Sequence, residues 1–179
     1  MKFGTIKSTE NIRPTIFLYA LNWQFASDRI HGQYYMKIHF LGTSHGVPAA
    51  DRYCSSALLE TNGTYYLIDG GAPVIDLLLR NGININSIRA VFTTHGHGDH
   101  ISGILQFADL INWHYRTCRI KIYMTETELI DAFIVLLEAM EANPLSERVN
   151  FILWDKDKGY EDENIIITLL PNSHLDYQK

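Results

Sequence analysis

Cysteine is nearly absent from this chain of 179 residues, with Cys54 and Cys118 its only two. Two thiols provide neither a disulfide framework nor a cysteine-built zinc site. The plain expectation is two free thiols in a reducing cytoplasm. Long apolar runs are missing as well, and nothing approaches the ~20 residues that cross a bilayer. The best stretch, 15–26, is interrupted by Asn22 and Gln24, follows a weakly basic flank and lacks a small-residue cleavage site, so it makes a poor signal peptide. A basic run is also lacking. The formal net charge is −5, which does not suggest general attraction to a nucleic-acid backbone. No internal repeat or low-complexity tract is visible. What remains is an ordinary globular composition, 46% hydrophobic, of a length that suits one domain.

Residues 1–35 keep no sustained period. They read as an extension outside the core, disordered or loosely helical, with Met36 as the functional start. From there strands and helices alternate. Lys37–Leu41 is a strand. Segments 56–60 and 64–68 read as a hairpin about Asn62-Gly63, a strong turn pair. Val74–Arg80 predicts a short helix closed by Asn81-Gly82. Ile88–Thr93 reads as a buried strand. Ile104–Tyr115 predicts a helix, in which Phe107, Trp113 and Tyr115 are expected in the core. Ile120–Met124 is a strand, and Thr127–Met140 a helix with Thr127 as N-cap. Val149–Trp154 is a strand, 155–163 a polar loop and 165–170 a last strand. The class is α/β with a mixed sheet.

The chemistry concentrates in His95-Gly96-His97-Gly98-Asp99-His100, just past the strand ending at Thr93 or Thr94. Imidazoles two residues apart on an extended segment can point the same way and grip one ion. Asp99 and His100 then turn toward a second. Glycines let the loop bend so that the ligands converge. The nitrogen and oxygen donors suit Zn²⁺ first and Mn²⁺ or Fe²⁺ next, and a strand terminus is where α/β sheets place their sites.

The segment Thr94-His95-Gly96-His97-Gly98-Asp99-His100-Ile101-Ser102-Gly103, with three others in order, resembles the metallo-β-lactamase superfamily and its ribonuclease Z and phosphodiesterase-like branch. The others are Phe40-Leu41-Gly42-Thr43-Ser44-His45-Gly46-Val47-Pro48, then Asp51-Arg52-Tyr53-Cys54-Ser55-Ser56, then Leu67-Ile68-Asp69-Gly70-Gly71. The resemblance covers Met36 to about His174 and implies an αββα domain over 36–179, mixed sheet layers flanked by helices. It implies that His95, His97 and His174 bind one ion, Asp99 and His100 a second, and that Asp69 accepts a ring N–H of a ligand histidine from behind. The implied activity is zinc-dependent hydrolysis, of phosphodiesters first, in which water polarised by one or two ions attacks and Asp99 orients it and takes its proton. The expected partners are a phosphodiester or another small hydrolysable substrate, RNA among them, and a second copy of the chain, with no membrane.

The resemblance also implies a bridging Asp and a further His beyond Lys179. The second half of the fold is therefore expected to be incomplete, the second ion site weak or empty, and a sheet edge left bare. Two alternatives follow: an inactive remnant or metal-binding module, and a serine hydrolase using Ser44 in Gly42-Thr43-Ser44-His45-Gly46. His45, in the loop after the first core strand, is a candidate for the substrate side.

Overall fold

The computed structural model describes residues 4–11, 15–18, 23–26, 33–47, 49–142, 146–155 and 157–170, those before Met36 through their backbone. Its largest element is a seven-stranded sheet in the order β1-β4-β5-β6-β7-β8-β9. β4 (Gln33–Gly42), β5 (Ser56–Thr61) and β6 (Thr64–Ile68) form an antiparallel meander. Its tight turn is Asn62-Gly63, both at positive φ (51° and 74°), the conformation that a two-residue hairpin turn demands and that Asn and Gly tolerate.

The chain then switches to parallel pairing. β7 (Ile88–Phe92) runs parallel to β6, β8 (Ile120–Met124) to β7 and β9 (Val149–Leu153) to β8. Each crossover carries a helix: α1 (Val74–Arg80), α3 (Ile104–Trp113) and α4 (Thr127–Ala139). Between β7 and α3 lies the single turn α2 (Gly98–Ile101).

All three long crossovers cover the same face. Leu58, Leu67, Val91 and Ile122 pack there against Leu78, Ile104, Phe107, Ile111, Phe133 and Leu137. Met36, Ile38, Leu59, Tyr66, Ile68 and Phe92 point to the opposite face, where they meet Trp154, Ile165 and Ile167. A second, four-stranded sheet of order β10-β11-β2-β3 forms that layer, with β10 (Tyr160–Glu161) and β11 (Ile166–Leu169) antiparallel. Helices, large sheet and small sheet are three successive layers of an α/β fold with a mixed sheet.

Three expectations are corrected. The described parts of residues 1–35 are strands. β1 (Gly4–Asn11) pairs antiparallel with β4, β2 (Thr15–Leu18) runs parallel to β11, and β3 (Trp23–Ala26) pairs antiparallel with β2. The reason is the edge itself. β4 and β11 each present a row of backbone N–H and C=O groups, and a nearby segment satisfies them by adding a strand. So neither β4 nor β11 is a bare edge. The loop 155–163 contains β10. Finally, Glu126 and not Thr127 occupies the N-cap of α4, at φ −137° and ψ 131° and without a side-chain cap bond.

Candidate metal centre

Hydrogen bonding of the parallel ladder continues one residue past β7, where the N–H of Thr93 donates to the carbonyl of Tyr123 at 2.9 Å. The chain then leaves the sheet at its carboxyl edge, the end where open α/β sheets bind ligands. His95 lies in the loop past β7, and His97 is the N-cap of α2 on extended backbone at φ −70°, ψ 145°. Asp99 and His100 fall in the turn of α2 itself. The bend brings the rings together. His95 lies 4.6 Å from His97 and 4.1 Å from His100, centroid to centroid. His95 and His100 are buried, 3% and 8% exposed. The Asp99 carboxylate reaches Nε2 of His100 at 3.4 Å.

Behind the rings stands Asp69, the residue after β6. Its N–H donates to the carbonyl of Phe92 at 2.8 Å, tying it to the end of the neighbouring strand. It is buried and holds φ +55°, a left-handed conformation that costs a non-glycine residue energy. That conformation turns the carboxylate onto the histidine loop. Oδ1 accepts the N–H of Thr94 at 2.8 Å, and Oδ2 lies 2.6 Å from Nδ1 of His100. The Thr94 hydroxyl stands 3.0 Å from both carboxylate oxygens and 3.0 Å from Nδ1 of His95.

Burial pushes the Asp69 carboxyl up, against the opposing pull of His100 and Thr94. For His100 burial acts downward, but the bond and charge of Asp69, aided by Asp99, win and raise the imidazole. The pair therefore holds its shared proton tightly.

Gly70 and Gly71 let this loop approach α2. The N–H of Gly70 donates to the carbonyl of His100 at 2.6 Å. A Cβ on Gly71 would collide with the carbonyl of Asp99 and with Cβ of Cys54. The loop after β4 closes another side, since a Cβ on Gly46 would sit 3.9 Å from Oδ1 of Asp99. His45, next to it, is exposed and its Nδ1 accepts the N–H of Val47 at 3.3 Å. Ser44 is buried. Its hydroxyl donates to the carbonyl of Val47 and accepts from Ala49 N–H, so it is bound into its own loop and is not presented as an exposed nucleophile.

His95, His97, Asp99, His100 and Asp69 are thus gathered at one place, whereas His174 lies outside the described residues. Among the described residues no three His, Cys, Asp or Glu groups stand close enough to share one ion. The donor chemistry still fits a divalent ion. Neutral imidazole nitrogens and one carboxylate are the ligand types of zinc, and Asp69 on Nδ1 of His100 is the outer partner that such a ligand usually has.

Two neighbours contribute beyond the ligand set. Thr94, which opens the histidine motif, donates its N–H to Asp69 and sets its hydroxyl against Nδ1 of His95. Glu126, the N-cap of α4, lies with Oε2 3.7 Å from where a Cβ on Gly96 would be. Trp113, expected in the core, is 57% exposed at the end of α3, while Phe107 is buried.

The model of the anti-Pycsar protein Apyc1 family matches residues 36–179. The chain belongs to that family. It is also 35% identical over 115 residues to ribonuclease Z of Methanopyrus kandleri, covering 62% of this chain and 40% of that protein. Against ribonuclease Z of Shouchella clausii it is 29% identical over 144 residues, covering 78% and 45%. The chain thus spans about half the length, or less, of these curated relatives.

Among solved structures, the short form of human tRNase Z superposes with a TM-score of 0.56 at 23% identity, over 75% of this chain and 51% of the other. The metallo-β-lactamase-fold protein YhfI of Bacillus subtilis gives 0.54 at 23%, over 72% and 50%. These likenesses identify the metallo-β-lactamase fold, with the ribonuclease Z relatives placing the Apyc1-family chain beside that branch.

Proposed function

We propose that this Apyc1-family chain carries the metal centre of a metal-dependent phosphodiester hydrolase. The observation that supports it is the gathering of three imidazoles and the Asp99 carboxylate at the tip of β7, with Asp69 bonded to one ring from behind. His95 and His97, with His174, are the residues that would hold one ion, and Asp99 with His100 a second. Zinc is the first choice for such donors, Mn²⁺ and Fe²⁺ the next. When bound, a divalent ion supplies Lewis acidity and brings the pKa of water toward neutrality.

The chain's own groups do the rest. Asp99, half-buried beside Gly46, orients the attacking water and accepts its proton. Asp69 and Thr94 keep two ligand rings in place. The exposed His45 stands on the rim loop and is a contact for the substrate. The ribonuclease Z relatives make RNA one phosphodiester to try, and the family name adds an anti-Pycsar role as a second direction. The two free cysteines are consistent with a cytoplasmic protein, and a second copy of the chain remains the expected partner. Among the described residues no helix is long and apolar enough to span a membrane.

Metal analysis paired with hydrolysis of a bis-aryl phosphodiester tests the reading. The expected result is bound zinc and chelator-sensitive turnover. His97→Ala should lose more than the ~10–100-fold typical of outer-partner substitutions. Turnover that ignores both chelator and His97→Ala would overturn it. Bound metal without turnover would leave a metal-binding module.

A further inference from the structure

We propose that Thr94 is a positioning residue that sets the tautomer of His95. In this account one buried carboxylate, Asp69, holds two histidines with Nε2 free of hydrogen: His100 directly, and His95 through the Thr94 hydroxyl.

The backbone N–H of Thr94 can only donate, so Oδ1 of Asp69 accepts it, at 2.8 Å. The Thr94 hydroxyl has one hydrogen and three polar neighbours at 3.0 Å: both oxygens of Asp69 and Nδ1 of His95. If that hydrogen pointed at His95, the hydroxyl oxygen would face the two carboxylate oxygens lone pair to lone pair. If it points at Asp69, a charge-assisted bond forms, the stronger kind. The oxygen is then left as an acceptor toward His95. All three contacts are satisfied only when His95 carries its proton on Nδ1. Nε2, a buried atom, is then the lone-pair nitrogen.

The same carboxylate accepts Nδ1–H of His100 at 2.6 Å, leaving that ring's Nε2 toward Asp99. In water a neutral imidazole divides its proton between two nitrogens, and only the unprotonated one can bind an ion. Fixing both rings beforehand removes a rearrangement from metal binding. Asp69 holds φ +55°, and that strain is explained by a group that must serve both rings at once. The consequence for affinity rests on the metal reading above, whereas the tautomer itself does not.

Long-range ¹H–¹⁵N spectra of chelator-treated protein, at a pH where the rings are neutral, read the two tautomers directly. The wild type should show both His95 and His100 as Nδ1–H. Thr94→Val keeps the size and the backbone N–H but lacks the hydroxyl. It should move the His95 proton to Nε2 or to a mixture while His100 stays Nδ1–H. Thr94→Ser should restore the wild-type pattern. Zinc affinity, by chelator competition, should fall about 10-fold in Thr94→Val and stay near wild type in Thr94→Ser.

Wild-type His95 protonated on Nε2 would overturn the proposal. So would a Thr94→Val protein whose His95 remains Nδ1–H. If the valine variant does not fold, Thr94→Ala takes its place, and the wild-type tautomer still decides. Should the protein bind no zinc while the tautomers behave as described, the metal reading fails and the relay stands.

Discussion

Asp69 is buried and bonded to three donors, the Thr94 N–H, the Thr94 hydroxyl and Nδ1 of His100, so its replacement separates charge from shape. Asp69→Asn keeps the volume but sets either an amide N–H₂ or a weaker carbonyl against Nδ1 of His100. Zinc affinity should fall by about 10–100-fold, with far-UV circular dichroism unchanged. Chelator competition checks it, and an unchanged affinity would remove Asp69 from the centre. Gly71→Ala acts differently. The added methyl has no room against Asp99 and Cys54, so α2 must shift. Its cost should be about 1–3 kcal/mol, the range for overpacking, read by urea unfolding together with weakened metal binding. At this scale the sequence was legible where chemistry is dense. His95, His97, Asp99 and His100 fall within six consecutive residues, and their convergence needs only one bend. Asp69 came through resemblance alone, because its bond to His100 spans 31 residues. Thr94 and Glu126 could not be read, since their importance lies in what the fold brings against them. His45 was legible as a loop residue, yet nothing in the letters shows that its ring nitrogen turns to Val47.

Among elements, the join between the two sheets depends on Asp162, in the turn between β10 and β11. Its carboxylate accepts from the hydroxyls of Tyr66 at 2.6 Å and Tyr160 at 2.7 Å and from the N–H groups of Asn164 and Ile165. Asn164 donates to the Tyr66 oxygen at 3.1 Å and accepts from Asn62 at 3.2 Å, tying this turn to the β5–β6 hairpin. Burial acts upward on the Asp162 carboxyl, but the hydroxyl and backbone donors outweigh it and hold it below the usual range. A carboxyl lowered on folding stabilises the protein above its unfolded pKa, and that contribution disappears as pH falls through the folded value. Stability should therefore decline below about pH 4, and less steeply in Asp162→Ala. That variant leaves two tyrosine hydroxyls without their acceptor, and roughly 3 kcal/mol should be lost at neutral pH. Urea titrations across pH measure both effects, and an unchanged acid slope would assign the decline to other carboxyls. The segment 155–163 read as a plain polar loop because the partner that matters, Tyr66, is 96 residues away. The alternating strands and helices of 56–140 were legible because their periods and turn residues are local.

For the molecule as a whole, the layers follow from patterning that the chain from Met36 carries within itself, but the sheet edges do not. β1 adds to β4 and β2 to β11, pairings between segments with no complementary motif to betray them. Residues 1–35 also fall outside the family match, which begins at Met36, while Asp69 and the His95–His100 run lie inside it. We therefore expect a chain starting at Met36 to bind zinc as the full chain does, because none of the proposed ligand residues is lost. Its stability should drop, because two edges lose their partners. β2 and β11 alone share four register pairs. At about 0.5–1.5 kcal/mol net for each hydrogen bond, the loss of both pairings amounts to a few kcal/mol. A chain of this size loses about 2–4 °C in thermal midpoint per kcal/mol, so the shortened protein should melt several degrees lower. The bared edges of β4 and β11 should also promote association, since an unpaired strand templates another. Calorimetry, light scattering and chelator competition on the two chains measure these together. Equal midpoints would show that the added strands contribute nothing to the fold, and a loss of zinc affinity would make the first 35 residues part of the metal centre itself.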